Sequence, residues 1–321
     1  MEDNSKDMIY LDKNESAFDL PEHFAEEVAE IARKLDLRQY PEDFLQSFRE
    51  TIGKYHGLGM ENVVTGNGSD QVISFILDYW RDRNFVLSTP TFGMYKFVMD
   101  NRGYKYTEVP LTENFQPDIE RIMEISNAAY IICSPNNPTG NDIDRSIVLR
   151  LLDTGYPVIV DEAYAHFTDH NFTDLLDRYS NLVILRTFSK AFGLAGLRVG
   201  YSLSSPEIAK GILQMVPAFA MGTFQIAVAT KMLEYTDYVK RNADLVRKER
   251  DRILERLGEY AYPSSTNFYV VKLDMFNFLK ENGVQARQFG GILADKVRIT
   301  VGTREENDRV LELVQKFLDN I

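Results

Sequence analysis

The chain has 321 residues, 44% of them hydrophobic and 26% charged, the balance of a soluble globular protein with room for one large domain and a smaller one. Its 36 Lys and Arg against 48 Asp and Glu leave a net charge of −12, which disfavours nucleic acid and anionic membrane as partners, since both bind through a basic footprint. No apolar run approaches the roughly 20 residues of a membrane span, residues 1–7 are polar where a secretory signal is apolar, and the lone Cys133 has no internal disulfide partner, so a reducing, cytoplasmic setting is expected.

Up to about position 18 the chain reads as an extended arm with one short apolar run, M-I-Y-L at 8–11. Pro21 is expected to open a helix through Leu35, with Phe24, Val28, Ile31, Ala32 and Leu35 on one face. A second amphipathic helix is expected over 44–55. From Asn62 onward, short apolar runs alternate with helical patterns. The strand candidates are 63–65, 85–88, 105–109, 129–133, 158–160, 182–186 and 199–203, and the helices between them 71–80, 95–101, 119–125 and 145–152. This alternation predicts an α/β domain built on a seven-stranded, mostly parallel sheet covered by helices. His166 and His170 lie four apart, but Phe167 and Asn171 suggest a surface loop. The four histidines show no metal-ligand spacing, so no metal is expected.

Past position 215 the texture changes. Residues 224–257 read as one long helix whose Lys, Arg and Glu form a solvated face. A strand over 267–273, a helix over 275–281 and a strand over 297–301 follow. Thr303 then starts a T-R-E-E capping box with Glu306 that opens a final helix. The predicted division is a large domain over 36–225 and a small α+β domain made of 1–35 and 226–321.

The densest chemistry lies at 187–201, T-F-S-K-A-F-G-L-A-G-L-R-V-G-Y. An apolar run feeds into it, so Lys190 should sit just past the end of a buried strand. The small residues Ala191, Gly193, Ala195 and Gly196 let a bulky ligand approach the backbone. A lysine among Thr187, Ser189 and Arg198 suits an amine that forms a Schiff base with a phosphorylated aldehyde, the hydroxyls and the guanidinium fork holding the phosphate. The stretch resembles the lysine motif of the class I/II aminotransferases, fold-type I pyridoxal-phosphate enzymes. Its wording is most similar to the histidinol-phosphate aminotransferase branch.

Four other stretches occur in the order the family uses. G-N-G-S-D at 66–70 runs into a helix, and its Gly68, Ser69 and Asp70 read as a phosphate cradle. T-P-T-F-G-M-Y at 89–95 resembles P-T-Y-G-M-Y, which places Phe92 where an aromatic stacks on the pyridine ring. S-P-N-N-P-T-G at 134–140 resembles the loop whose asparagine, here Asn137, donates to the cofactor's phenolate oxygen. V-D-E-A-Y at 160–164 supplies Asp161 for the pyridine nitrogen and Tyr164 for the phenolate oxygen. By composition alone the D-E pair also suits Mg²⁺, but no G-x-x-x-x-G-K-[ST] loop precedes it.

Three pieces outside that core resemble family segments. L-R-Q-Y-P at 37–41 implies that Tyr40 reaches the phosphate in a neighbouring subunit, hence a homodimer with shared sites. V-R-I-T-V-G-T-R-E-E-N at 297–307 implies that Arg298 binds the substrate's anionic end, with Arg287 as a second substrate arginine. L-D-K-N-E at 11–15 resembles L-N-x-N-E.

The resemblance implies a transaminase in which Lys190, Asp161 and Tyr164 are catalytic, the amino donor is histidinol phosphate and 2-oxoglutarate accepts the amino group. Three departures are visible. The family's upstream tyrosine-bearing arm is not read before position 11, Phe18 stands where a Pro-Tyr-Gly turn is expected, and the loop after Arg287 is short. They leave open an aromatic amino acid or another phosphorylated amine as donor. A threonine-phosphate decarboxylase-like enzyme on the same fold is a further alternative, disfavoured by Tyr164 and the wording of the lysine loop. A ligand-sensing regulator ranks last, since no DNA-binding segment is fused.

Overall fold

The computed structural model describes residues 8–320; the polar stretch 1–7 lies outside the described residues. A two-residue strand, β1 (Ile9–Tyr10), comes first. Seven more follow: β2 (Val63–Asn67), β3 (Asn84–Thr89), β4 (Tyr106–Pro110), β5 (Ala128–Cys133), β6 (Val158–Asp161), β7 (Leu182–Thr187) and β8 (Val199–Ser204). These seven form one sheet in the order β2-β8-β7-β6-β5-β3-β4. β3 to β7 pair in parallel, and β8 runs antiparallel to both of its neighbours. The apolar runs are unbroken because both faces are covered. In β5, Tyr130 and Ile132 enter one core, while Ala129, Ile131 and Cys133 enter the other. All seven strands stand at the expected places. The carboxyl ends of β2, β3, β5, β6 and β7 lie along one edge, where ligands bind in sheets of this kind.

Beyond the large sheet come β9 (Phe268–Val271), β10 (Val284–Gln285), β11 (Arg287–Gln288) and β12 (Val297–Thr300). β11, β12 and β9 make an antiparallel sheet in that order, and β10 pairs in parallel with β1. The arm is thereby stitched to the carboxyl-terminal third of the chain. The Leu11 carbonyl also accepts from the Thr300 amide at 2.9 Å. The expected capping box is present: the Thr303 amide donates to Glu306 Oε2 at 2.7 Å, and the Glu306 amide donates to Thr303 Oγ1 at 3.3 Å.

Three expectations are corrected. Residues 224–257 form two helices, Thr223–Met232 and Thr236–Leu257. The break lets Tyr235 pack edge-on against Phe24 at 5.6 Å and donate its hydroxyl to Glu27 at 2.5 Å. The first helix is Phe24–Lys34 and starts after His23, whose φ of 66° is left-handed, rather than at Pro21. His166 does not lie in a surface loop. It sits in a short turn, Ala165–Phe167, edge-on to Phe192 at 5.2 Å, and burial lowers its pKa to about 3.

Candidate active site

The loops at that edge enclose a cavity of about 690 Å³, the size of a small-molecule site. Lys190 lies just past β7, with Phe188 and Phe192 behind it stacked at 4.5 Å in the core. Its ammonium donates to the carbonyls of Lys13 and Asn14, both at 2.9 Å. Burial, then Arg298 and Arg198, lower its pKa from 10.5 to about 8. Those two carbonyls belong to the arm, which folds over the cavity. Asn14 takes a left-handed turn (φ 55°), its amide N–H donates to Thr300 Oγ1 at 3.0 Å, and Asn267 donates to its carbonyl at 3.0 Å.

At one end of the cavity, the helix Gly68–Tyr79 begins directly after β2, one turn earlier than expected. A Cβ on Gly200 would lie 2.1 Å from the Ser69 nitrogen, and a Cβ on Gly68 (φ 76°) would lie 2.5 Å from Arg198 Nη2. Both glycines are required for the close approach of β8 to this helix start. Thr187 Oγ1 donates to Ser189 Oγ at 3.0 Å, and Arg198 reaches Ser189 Oγ at 3.5 Å. The carboxylate of Asp70 holds Arg198 Nη2 at 2.9 Å, so its side chain aims the guanidinium instead of facing an anion itself.

At the opposite end, Asp161 is buried and in no ion pair among the described residues. It accepts from the Tyr95 hydroxyl at 2.6 Å and the Ala163 amide at 3.0 Å. Burial raises its pKa to about 6. The adjacent Glu162 turns the other way and accepts from Arg186 Nε at 2.8 Å. Among the described residues, no group of three His, Cys, Asp or Glu is arranged around a metal position.

Between these ends, the Tyr164 hydroxyl accepts from Asn14 Nδ2 at 2.9 Å and Asn137 Nδ2 at 3.4 Å, which leaves its own proton to donate. The Asn137 amide is oriented by Arg298, whose Nη1 donates to Asn137 Oδ1 at 2.6 Å. Arg298 Nη2 donates to the Asp12 carbonyl at 2.6 Å. The guanidinium of Arg298 lies 5.1 Å from the Phe268 ring and 5.2 Å from the Phe289 ring, with no carboxylate partner among the described residues. Burial lowers its pKa to about 10. Arg287 stands opposite Arg298 on β11, exposed, and lines the same cavity. Phe92 lines it too, edge-on to Tyr95 at 5.6 Å. Tyr40 does not line it. It is 77% exposed and stacks on Phe219 at 4.4 Å.

The family model for aminotransferase class I and II matches residues 6–314. The chain belongs to the class I and II aminotransferases. It is 42% identical over 313 residues to the histidinol-phosphate aminotransferase of Pyrococcus furiosus, covering 97% of this chain and 93% of that one. Two crystal structures share the fold. The histidinol-phosphate aminotransferase of Sinorhizobium meliloti, in complex with pyridoxal-5'-phosphate, superposes with a TM-score of 0.87 at 22% identity over 98% of this chain and 93% of that one. The L-threonine-O-3-phosphate decarboxylase of Porphyromonas gingivalis superposes with a TM-score of 0.84 at 21% identity over 97% and 100%. The shared fold therefore does not by itself choose between amino transfer and decarboxylation.

Membership makes this aminotransferase a pyridoxal-phosphate enzyme, and its residues fit that cofactor. A buried, unpaired carboxylate at one end calls for a cation such as a protonated pyridine nitrogen. The glycine-lined helix start with two hydroxyls and an arginine at the other end calls for a phosphate. Three contributors were not singled out from the sequence. Asn14 and Tyr95 stand inside motifs whose pattern points to other residues. Phe289 carried no signal, because it flanks Arg298 only through the pairing of β11 with β12.

Proposed function

We propose that this aminotransferase takes its amino group from histidinol phosphate and passes it to a 2-oxo acid such as 2-oxoglutarate. It works as a cytoplasmic homodimer with shared sites. The observation that carries the donor is Arg298, a buried cation with no carboxylate ion pair among the described residues, beside a second arginine, Arg287, across the strand pair. One arginine suffices for a carboxylate. Two suit a phosphate dianion, whose oxygens accept several charge-assisted hydrogen bonds. The runner-up, an aromatic amino acid, draws on the exposure of Arg287, which leaves Arg298 alone as the buried anion site.

Ser69, Thr187, Ser189 and Arg198 would hold the cofactor's phosphate, Asp161 its ring nitrogen, and Asn137 and Tyr164 its phenolate oxygen, with Phe92 against the ring face. When bound, pyridoxal phosphate supplies an electron-accepting ring conjugated to the amine-bearing carbon of the substrate. Lys190 Nζ, with its pKa brought to about 8, would take the proton from that carbon as a general base and, as an acid, deliver it to the cofactor's former aldehyde carbon instead of back to the substrate. Arg298 binds the donor's anion and, through Asn137, couples that anion to the phenolate end of the site. The arm lies over Lys190 and holds its ammonium on the Lys13 and Asn14 carbonyls.

Support for the dimer comes from Tyr40, which is exposed and away from its own cavity, with Leu37 beside it in sequence 72% exposed. The acidic charge and the free, buried Cys133 are in keeping with a reducing compartment. The test is glutamate formation from histidinol phosphate and 2-oxoglutarate by the purified, cofactor-loaded protein. Turnover is expected for wild type and not for Lys190→Ala. Near-normal multiple turnover by Lys190→Ala removes Lys190 from its role.

A further inference from the structure

Asp161 is a buried carboxylate lining the cavity, and burial works against its charge. Most of the groups facing it do not counter this, and the like charges of Glu162 and Asp70 add to it. From its own strand and the following loop come the like charge of Glu162, the Ala163 amide and the Tyr164 phenol; from β5 comes the Cys133 thiol; from the helix after β2 comes Asp70. Apart from the Ala163 amide, the donor in contact with the carboxylate is the hydroxyl of Tyr95, 2.6 Å from Oδ2. Tyr95 lies in the helix Met94–Arg102, is 1% exposed and does not line the cavity. It sits one turn after Phe92, so the same helix start sets the ring against the cofactor's face and the hydroxyl behind its acid.

We propose that Tyr95 is a positioning residue for the reaction: its hydroxyl keeps Asp161 ionised and turned toward the cofactor's ring nitrogen. The inference rests on the role given to Asp161 above. A hydrogen bond to the charged form of a buried acid favours that form, and one donated by a fixed phenol also restricts the carboxylate's rotation. The second lone pair direction of the carboxylate then stays available for the ring.

The test compares Tyr95→Phe, Asp161→Asn and the double variant as cofactor-loaded enzyme. Tyr95→Phe retains the buried ring and removes only the donor. It is expected to lower kcat by about tenfold or more, the worth of a hydrogen bond to a charged group, and to weaken pyridoxal-phosphate affinity, with the donor's KM near wild type. In the Asp161→Asn background the same change is expected to add nothing. Infrared difference spectra of the cofactor-free protein, with Asp161→Asn as the blank, read the carboxyl directly. In Tyr95→Phe its protonated band is expected to persist to higher pH. If Asp161→Asn is impaired while Tyr95→Phe matches wild type, or if the two losses multiply in the double variant, the role of Tyr95 is overturned and that of Asp161 stands. If Asp161→Asn itself turns over normally, the underlying reading fails. Should Tyr95→Phe not fold, Tyr95→His keeps a ring donor. A wild-type infrared titration in Tyr95→His supports the role, and one that moves no differently from that of a Tyr95→Leu variant overturns it.

Discussion

Replacing Arg298 by methionine separates what this residue does for the fold from what it does for the substrate. Its burial lowers the pKa from 12.5 to about 10, which corresponds to roughly 3 kcal/mol held against the charge. Against this stand two hydrogen bonds from the guanidinium, to Asn137 Oδ1 and the Asp12 carbonyl, worth roughly 1.5–3 kcal/mol each. The two contributions nearly offset, and methionine keeps the stem packed between Phe268 and Phe289. The Arg298→Met protein is therefore expected to lose at most about 3 kcal/mol of stability. Donor recognition has no such offset, because an anion bound by the guanidinium loses both charge-assisted contacts. With two such bonds gone, kcat/KM for the donor should fall by roughly 10² to 10⁴. Calorimetry of the ligand-free protein and steady-state kinetics on the same preparations make the comparison. A kcat/KM within about tenfold of wild type would show that Arg298 serves the fold and not the substrate.

The depressed pKa of Lys190 has a stability signature of its own. Between about 8 and 10.5 the unfolded chain binds a proton that the folded cofactor-free protein has released, so stability should rise with pH across that window. Lys190→Met should flatten the rise, and denaturant titrations at several pH values giving equal slopes for both proteins would contradict it. The shared-site dimer predicts complementation. Tyr40→Ala subunits, weakened in cofactor retention, and inactive Lys190→Ala subunits, unfolded and refolded together, should show more activity in mixed dimers than either alone, whereas full activity of a strictly monomeric protein at high dilution contradicts the arrangement.

The fold was legible because the strands of the large sheet are buried on both faces and the helices between them carry one apolar face. Each therefore leaves its own period in the chain. The break at 233–235 left no such trace. It contains no proline or glycine, and what accompanies it is a contact of Tyr235 with Phe24 and Glu27, some two hundred residues away in sequence. The site follows the same pattern. Lys190, Ser189 and Arg198 stand in one continuous stretch and could be read together. The hydroxyl behind Asp161 comes from Tyr95, 66 positions earlier, and the amide on Tyr164 from Asn14, 150 positions earlier. Such contacts arise only when the sheet edge and the arm meet. The sequence pattern suits Asp70 to the cradle, and only the geometry shows its carboxylate held on Arg198.

The central claim is that a buried arginine with a second beside it selects a phosphorylated donor. The direct measurement is the first half-reaction, followed as the change in visible absorbance of the cofactor-loaded protein on rapid mixing with histidinol phosphate, phenylalanine, tyrosine or threonine phosphate. The specificity constant is predicted to be greatest for histidinol phosphate, and to fall toward that of the amino acids in Arg287→Ala while Arg298 remains. A higher specificity constant for phenylalanine or tyrosine in the wild-type protein would contradict the claim and leave an aromatic aminotransferase in its place.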